Sequence, residues 1–184
     1  ASSAGLKGKV LIGKNANDIY WIQEVIGNAS EAAGIQPSNY VQNGTVTEFG
    51  FKSEMNQTFK DKIANLKGLS DRLSKDLSSE DANVFVTNWD TARNQGALTY
   101  KDGAKYQLAN AFMLAYDYGT PRLLSDYKWD GGHNDDGAPG ATVASVPDVD
   151  MNKECSTNNS AWNCEQRWTS TRGMISFHNY VGDA

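Results

Sequence analysis

Two acidic residues lie where chemistry is often found, at the carboxyl ends of apolar runs. Glu24 lies at the end of the run Ile19–Val25, and Asp90 ends the run Val84–Asp90, where amide, indole and carboxylate groups follow the apolar residues. Such β-branched and aromatic runs are typical of strands buried on both faces. In parallel α/β sheets the loops after the strands converge on one face, and active sites form there. We therefore predict that Glu24 and Asp90 are a catalytic pair of carboxylates.

Each acid also has a purely structural interpretation. A lone acid in an apolar run is commonly paired with a buried base, which would suit Glu24. An aspartate after a strand often caps the following turn, which would suit Asp90. Because the two acids end strands of one predicted sheet, we favour the interpretation in which they share a site.

Length and charge narrow the class of protein. The 184 residues are enough for a sizeable core, and we predict a single domain over residues 1–184. The net charge of −5 comes from scattered acids and bases, which argues against nucleic acid or a membrane surface as the partner and suits a neutral polymer. No apolar stretch approaches the ~20 residues of a membrane span. The opening Ala1–Gly5 lacks the basic and apolar regions of a signal peptide, so we expect a mature or excised chain.

The two cysteines, Cys155 and Cys164, lie close together among Asn, Ser and Thr residues. From the residues alone, a short-loop disulfide and a pair of free thiols are both open. A redox pair usually has a two-residue spacing, and a zinc site needs more ligands than these cysteines and the distant His133 and His178. We predict the disulfide, which would place the protein outside the cytosol.

Strand and helix patterns alternate along the chain, which predicts a parallel sheet with right-handed crossovers. Only four strands are visible, whereas a closed barrel of this kind needs eight strands and ~250 residues. We therefore predict an α/β fold that is half of a (β/α)8 TIM barrel. The predicted elements are a helix end at Leu6–Leu11, strands at Ile19–Val25, Thr45–Gly50, Val84–Asp90 and Arg122–Asp126, helices at Phe51–Leu69, Lys101–Tyr116 and Glu165–Phe177, and a long disulfide-pinned loop at 129–164.

Several motifs resemble the α-amylase family of glycoside hydrolases, in particular its bacterial and animal-type members. Gln23–Ile26 resembles the segment at the end of the fifth barrel strand, and Phe85–Asp90 resembles the segment at the end of the seventh. Lys101–Gly103, Leu108–Ala115 and Tyr118–Pro121 resemble the seventh helix and the entry to the eighth strand. The resemblance runs through nearly the whole chain in order, which implies that the four strands correspond to strands five to eight of the family's barrel.

The resemblance implies a role for each acid in hydrolysing α-1,4-glucans such as starch and malto-oligosaccharides. Glu24 would be the general acid, and Asp90 would stabilise the transition state. The family's nucleophile is an aspartate after the fourth strand, and nothing in this sequence matches it; the calcium ligands also lie mostly in the absent half. Retaining glycosidases need two carboxylates ~5 Å apart. We therefore expect an incomplete catalytic domain, weak or inactive unless a partner half or a second copy completes it.

Trp89 departs from the family pattern, because the family has a histidine there that hydrogen-bonds the sugar being cleaved. An indole cannot reproduce the contacts of an imidazole, so the resemblance implies reduced activity. The alternative is that Trp89 stacks on a sugar ring and turns a catalytic subsite into a binding one. Arg93, expected near the rim of the cleft, is the other predicted substrate-binding residue.

Asn88 and Lys128 resemble two chloride ligands of the chloride-dependent members, whose third ligand is an arginine in the absent half. A chloride beside the general acid would favour its protonated form. The alternative for Lys128 is a solvated lysine, or an ion pair with Asp126 or Asp130. The positions of the two cysteines match a disulfide in similar enzymes. No protein-bound metal is predicted within these residues.

A half barrel leaves two edge strands and an apolar flank open to association. We expect a homodimer, or pairing with a complementary barrel half. The leading hypothesis is an α-amylase-type hydrolase. The alternative is a non-catalytic starch-binding or self-associating module derived from an amylase, and either protein would be secreted.

Overall fold

The fold is seen in a computed structural model that describes residues 20–27, 30–73, 77–94, 96–129, 137–142, 144–157 and 160–182. The helix end predicted at Leu6–Leu11 lies outside these residues. Four parallel strands form one sheet in the order in which they occur along the chain. The strands are β1 (Ile22–Gln23), β2 (Thr45–Glu48), β3 (Ala82–Phe85) and β4 (Thr120–Arg122). The α/β prediction is thereby confirmed, and the sheet is consistent with part of a TIM barrel.

α-Helices lie in the connections from β2 to β3 and from β3 to β4, whereas the described connection from β1 to β2 contains only 3-10 turns. The α-helices are α1 (Phe49–Asn56), α2 (Leu69–Leu73), α3 (Trp89–Asn94), α4 (Ala104–Ala115), α5 (Met151–Glu154) and α6 (Thr169–Gly182). A π-helical turn spans Gln57–Asp61, and short 3-10 turns span Ala33–Ile35, Pro37–Asn39, Val41–Asn43, Ile63–Leu66, Tyr100–Asp102 and Glu165–Arg167. None of the described helices is both long and apolar enough to cross a lipid bilayer.

The side chains of each strand alternate between the two faces of the sheet. Val46 and Val84 point to the helix side and have no exposed surface. They pack in one apolar cluster with Phe51 and Met55 of α1 and with Tyr106 of α4. The helix side of the sheet is therefore covered by a closed apolar core.

Gly119 shows how closely the chain turns into β4. Its φ is +74°, in the left-handed region, and a Cβ there would lie 2.6 Å from Cγ1 of Val84. Only glycine fits this combination of backbone angle and contact. The turn brings Thr120 and Pro121 into register with Asn83 and Val84 of β3.

Several predicted boundaries were wrong. Of the predicted strand Ile19–Val25, residue 19 lies outside the described residues, and the described part forms a strand only at β1. The fourth strand lies earlier than predicted, at β4. The helix predicted at Phe51–Leu69 is interrupted, because Lys62 adopts extended backbone (φ −146°, ψ 108°). The strand predicted at Val84–Asp90 ends at Phe85, and a helix begins at Trp89.

The predicted long loop contains the short helix α5 and is pinned at two points. Cys155 and Cys164 form the predicted disulfide, with Cα atoms 5.8 Å apart. Tyr127 and Trp162 form an isolated antiparallel bridge. The last helix, predicted to end at Phe177, continues to Gly182 as α6 and packs against α4.

Candidate active site

An open cleft of about 290 Å³ lies at the carboxyl ends of the strands. Residues of all four strand ends contribute to it, as expected for a parallel sheet. Its lining combines apolar and polar side chains of Ile22, Glu24, Thr47, Phe85, Thr87, Asn88, Trp89, Asp90, Arg122, Leu123 and Leu124. The structure therefore brings Glu24 and Asp90 into one cleft.

Glu24 follows β1 directly, and its side chain is exposed to the cleft. The residues on either side of it are held in place. Val25 is buried, and Gln23 donates hydrogen bonds from Nε2 to the carbonyl oxygens of Tyr40 (2.9 Å) and Gly44 (3.1 Å). No buried base is paired with Glu24 in any described salt bridge, so the structural interpretation of this acid has no support among the described residues.

Asp90 reaches the cleft from the first turn of α3 and not from the strand itself. The helix starts here because Asn88 caps it: its Oδ1 accepts hydrogen bonds from the backbone N (2.9 Å) and hydroxyl (2.8 Å) of Thr91. Thr91 is buried and lies 3.2 Å from the Thr87 hydroxyl, so the turn is fixed from both sides. Asn88 is therefore the capping residue, and the exposed Asp90 faces the cleft.

Trp89 lines the cleft with about half of its surface exposed (49%). One face of its ring is covered by the guanidinium of Arg93, whose Cζ lies 3.9 Å from the ring centroid. The ring also packs against that of Tyr127, with centroids 5.7 Å apart and the two planes inclined at 61°. The opposite face of the indole is therefore the one presented to the cleft.

Arg93 does not reach the cleft surface, so its predicted position at the rim is wrong. Its side chain has no exposed surface and pairs with Asp126 at 2.9 Å. The cause is the helical spacing of α3, which places residue 93 one turn behind residue 89 and directs the guanidinium beneath the indole. A sugar in the cleft would meet Trp89 before it met Arg93.

A second buried acid, Glu165, supports this ion pair from behind. Its Oε2 accepts a hydrogen bond from the backbone N of Asp126 at 2.9 Å. Burial is the main cause that raises the pKa of Glu165 to about 7, and the negative charge of Asp126 contributes to the rise. Glu165 is therefore the neutral neighbour of the charged Arg93–Asp126 pair at mildly acidic pH.

The two predicted chloride ligands lie in different depressions. Asn88 lines the cleft and uses its Oδ1 to cap α3. Lys128 is exposed and lines a separate depression beside Trp162 and Arg167. The described residues do not bring the two groups together, and chloride binding stays a prediction. No group of three or more His, Cys, Asp or Glu side chains suited to a metal occurs in the described part of the chain.

The sequence patterns gave no role to Arg122, although it lines the cleft. Its alternation with Pro121 along β4 is the signal that could have placed it on the cleft side. The role of Glu165 was also missed, and no local pattern marks it: the acid lies at the start of a helix and meets Asp126, 39 residues away, only in the folded chain.

Relatives of the chain are found among characterised proteins, although no protein-family model matches it. An α-amylase of Aeromonas hydrophila is 38% identical over 162 residues, which cover 85% of this chain and 33% of that protein. An α-amylase of Thermomonospora curvata is 39% identical over 165 residues, covering 88% of this chain and 24% of that protein. This chain therefore spans a quarter to a third of the relatives it matches.

Solved structures agree with the sequence relatives. The crystal structure of α-amylase I from Eisenia fetida superposes with a TM-score of 0.71 at 32% identity, covering 91% of this chain and 35% of that one. A mutant of the same enzyme in a complex with maltohexaose gives a TM-score of 0.69 at 30% identity. With the parallel sheet and its shared cleft, these similarities show that the chain belongs to the α-amylase family of glycoside hydrolases and corresponds to the carboxyl-terminal half of its fold.

Proposed function

We propose that the chain forms part of an α-amylase-type hydrolase that cleaves α-1,4-linked glucans. The observation that carries this proposal is the shared cleft, which is lined by Glu24 after β1 and by Asp90 after β3 of one parallel sheet. The family relatives are named α-amylases, and one structural neighbour was solved with maltohexaose. An open cleft lined by exposed carboxylates and an indole suits a neutral, hydroxyl-rich chain.

Glu24 is the proposed general acid and base. As the acid it gives its proton to the glycosidic oxygen while the bond to the anomeric carbon breaks. As the resulting carboxylate it takes a proton from the water that completes hydrolysis. Its exposed position at the end of β1 leaves its oxygens free to approach a bound sugar.

Asp90 is proposed to hold hydroxyl groups of the distorted sugar while positive charge develops at the ring. The family mechanism also needs a nucleophilic carboxylate ~5 Å from the acid. We propose that a complementary barrel half supplies it. Glycosidic cleavage by these 184 residues alone is then weak or absent.

A starch hydrolysis assay tests this assignment. The chain is measured alone, then mixed with the first half of a family barrel, and then with Trp89→His in the same mixture. Activity that appears on mixing and rises with Trp89→His supports the roles given to Glu24 and Asp90. A mixture that folds together but stays inactive, even with histidine at position 89, contradicts them.

A second candidate function is binding without cleavage, and it rests on Trp89. The open face of this indole replaces the family's histidine and offers a surface on which a sugar ring can stack. A calorimetric titration with malto-oligosaccharides separates the two functions. Affinity without turnover that is lost in Trp89→Ala supports this candidate, and the absence of any affinity removes it.

We also propose that the chain associates, either with a complementary half or with a second copy. The outer strands β1 and β4 each have one neighbour in the described sheet, and such edges favour pairing with another chain. Light scattering tests both forms of association. A monomeric mass for the chain alone, together with no association in its mixture with the first barrel half, argues against both.

The disulfide suits an extracellular location, which secretion assays in the source organism would test.

A further inference from the structure

Arg93 is a charged side chain with no exposed surface, and aromatic rings surround it. Its Cζ lies 3.9 Å from the ring centroid of Trp89, 4.9 Å from that of Tyr127 and 5.5 Å from that of Trp129. Nη1 also donates to the carbonyl oxygen of Trp89 at 3.4 Å. The guanidinium therefore contacts both the ring and the backbone of the one aromatic residue among the three that lines the cleft.

The environment of Arg93 is poorly explained by stability alone. One carboxylate, Asp126, neutralises it at 2.9 Å, and Nε has no hydrogen-bond partner among the described residues. Buried ion pairs of this kind often contribute no more to stability than apolar side chains of similar volume. The pair therefore calls for a role beyond holding the fold together.

The position of Asp126 is itself fixed on several sides. Its Oδ1 accepts from its neighbour's backbone N at 2.8 Å, and its Oδ2 accepts from Nε1 of Trp129 at 3.1 Å. Glu165 holds its backbone N from behind. Because these contacts restrict the carboxylate of Asp126, they fix the position of the Arg93 guanidinium. The guanidinium in turn fixes the position of the Trp89 ring.

We infer that Arg93 is a positioning residue for Trp89. Asp126 holds the buried guanidinium under the indole, and the guanidinium keeps the other face of the indole open toward the cleft as a flat surface for a glucose ring of an α-glucan. The inference rests on the substrate class of the proposed function and not on its catalytic steps. Its energetic basis is preorganisation: a ring that is already ordered loses less conformational freedom when a sugar binds.

Titration calorimetry of the chain with maltoheptaose tests this role. The main variant combines Arg93→Met with Asp126→Leu, which removes both charges and leaves neither one buried alone. We expect affinity to fall about tenfold, the effect of releasing one ordered side chain. Arg93→Lys keeps the charge but loses the planar fork, and we expect it to recover part of the affinity.

The matched control is the ion pair of Arg72 and Glu54, which is bidentate (2.8 and 2.9 Å) and lies outside the cleft. Glu54→Leu combined with Arg72→Met should lower the melting temperature and leave maltoheptaose affinity unchanged. Equal losses of affinity in the two double variants would show that Arg93 acts only through general stability, and would overturn the inference.

A second measurement covers the case in which the Arg93 double variant does not fold. The chain is labelled with 5-fluorotryptophan, and the Trp89 resonance is assigned by its loss in Trp89→Phe. We expect this resonance to broaden or shift in Arg93→Lys, and the resonances of the other tryptophans to change less. A Trp89 resonance identical to that of the wild type would overturn the inference.

The two proposals fail in different experiments. If the wild-type chain shows no affinity for maltoheptaose, the role of Trp89 and Arg93 is overturned, whereas the roles of Glu24 and Asp90 are decided by hydrolysis in the completed barrel. If maltoheptaose binds and Arg93→Met with Asp126→Leu binds it within twofold of wild type, the inference fails and the proposed function stands.

Discussion

The two faces of the sheet differ in how completely the chain covers them. On the helix side, Val46, Ala82 and Val84 have no exposed surface and pack against α1 and α4. On the cleft side, the alternate residues of the same strands include Thr47 and Phe85, and they line an open cleft.

This difference shows that the residues that stabilise the fold and the residues that can bind a ligand lie on opposite faces of the same sheet. The helix face is apolar and closed, so its side chains contribute mainly to the free energy of unfolding. The cleft face is open and carries polar side chains beside apolar ones, so its side chains are available to ligand. Substitutions on the two faces should therefore change different measured quantities.

The largest effect is expected on the cleft side, in Glu24→Gln. The amide cannot donate and recover a proton as the carboxyl does, so hydrolysis by the completed barrel should fall about 10²–10⁴-fold. Because Glu24 is exposed, the free energy of unfolding should change by less than about 0.5 kcal/mol. Initial rates on starch measure the loss of hydrolysis, and urea unfolding measures the free energy of unfolding. A rate within threefold of wild type would show that Glu24 is not the acid.

The reverse pattern is expected on the helix side, in Phe51→Ala. Phe51 has no exposed surface and lies in the apolar cluster, so truncation should cost about 3–5 kcal/mol. The control is Leu108→Ala on α4, where the side chain is 59% exposed and the cost should be below about 1 kcal/mol. Urea unfolding compares them. Similar losses for both variants would contradict the assignment of the closed core.

A smaller effect is expected behind the cleft, at Glu165. Because its folded pKa is about 7 and its ordinary value is 4.5, the folded protein keeps a proton here that the unfolded chain has lost between these pH values. The stability this proton provides is fully present below pH 4.5 and is lost as pH rises to about 7. The total is roughly 3 kcal/mol at most.

Glu165→Gln is neutral at every pH and should remove this slope. Urea unfolding at pH values below, within and above the range compares the variant with wild type. The variant should gain stability relative to wild type as pH rises. A parallel pH dependence in the two proteins would show that Glu165 is not the group responsible.

The smallest effect is expected from the disulfide, which lies away from the cleft residues. Replacing Cys155 and Cys164 together by serine should cost about 2–3 kcal/mol, because the bond closes a short loop of the unfolded chain. Maltoheptaose affinity, measured by calorimetry, should not change. A loss of affinity would mean that the pinned loop reaches the cleft.

The fold class could be predicted because buried parallel strands leave apolar runs in the sequence. The Val84–Asp90 run was assigned too long a strand, since the β-branched pattern outweighed a local capping signal. Asn88 followed by Thr91 is such a signal, and the capped helix it starts is what turns Asp90 toward the cleft. Asp90 was therefore predicted to lie in the correct cleft, but at the end of a strand and not in the first turn of α3.

The support beneath Trp89 could not be predicted from the sequence. Arg93 and Asp126 are 33 residues apart, and no periodic pattern links residues from different elements. Burial decided their roles: an arginine assigned to the rim from its position after a strand became an interior residue once α3 formed. The shared cleft follows from topology, whereas the ion pair behind it depends on tertiary packing.

The central claim is that Glu24 and Asp90 face one bound sugar. A crystal structure of the chain with maltoheptaose, alone or completed by a first barrel half, tests it most directly. We expect a glucose unit between the two carboxyl groups, with the apolar face of a sugar ring on the open face of Trp89. Maltoheptaose bound at another surface, or Glu24 and Asp90 facing separate cavities, would contradict the account.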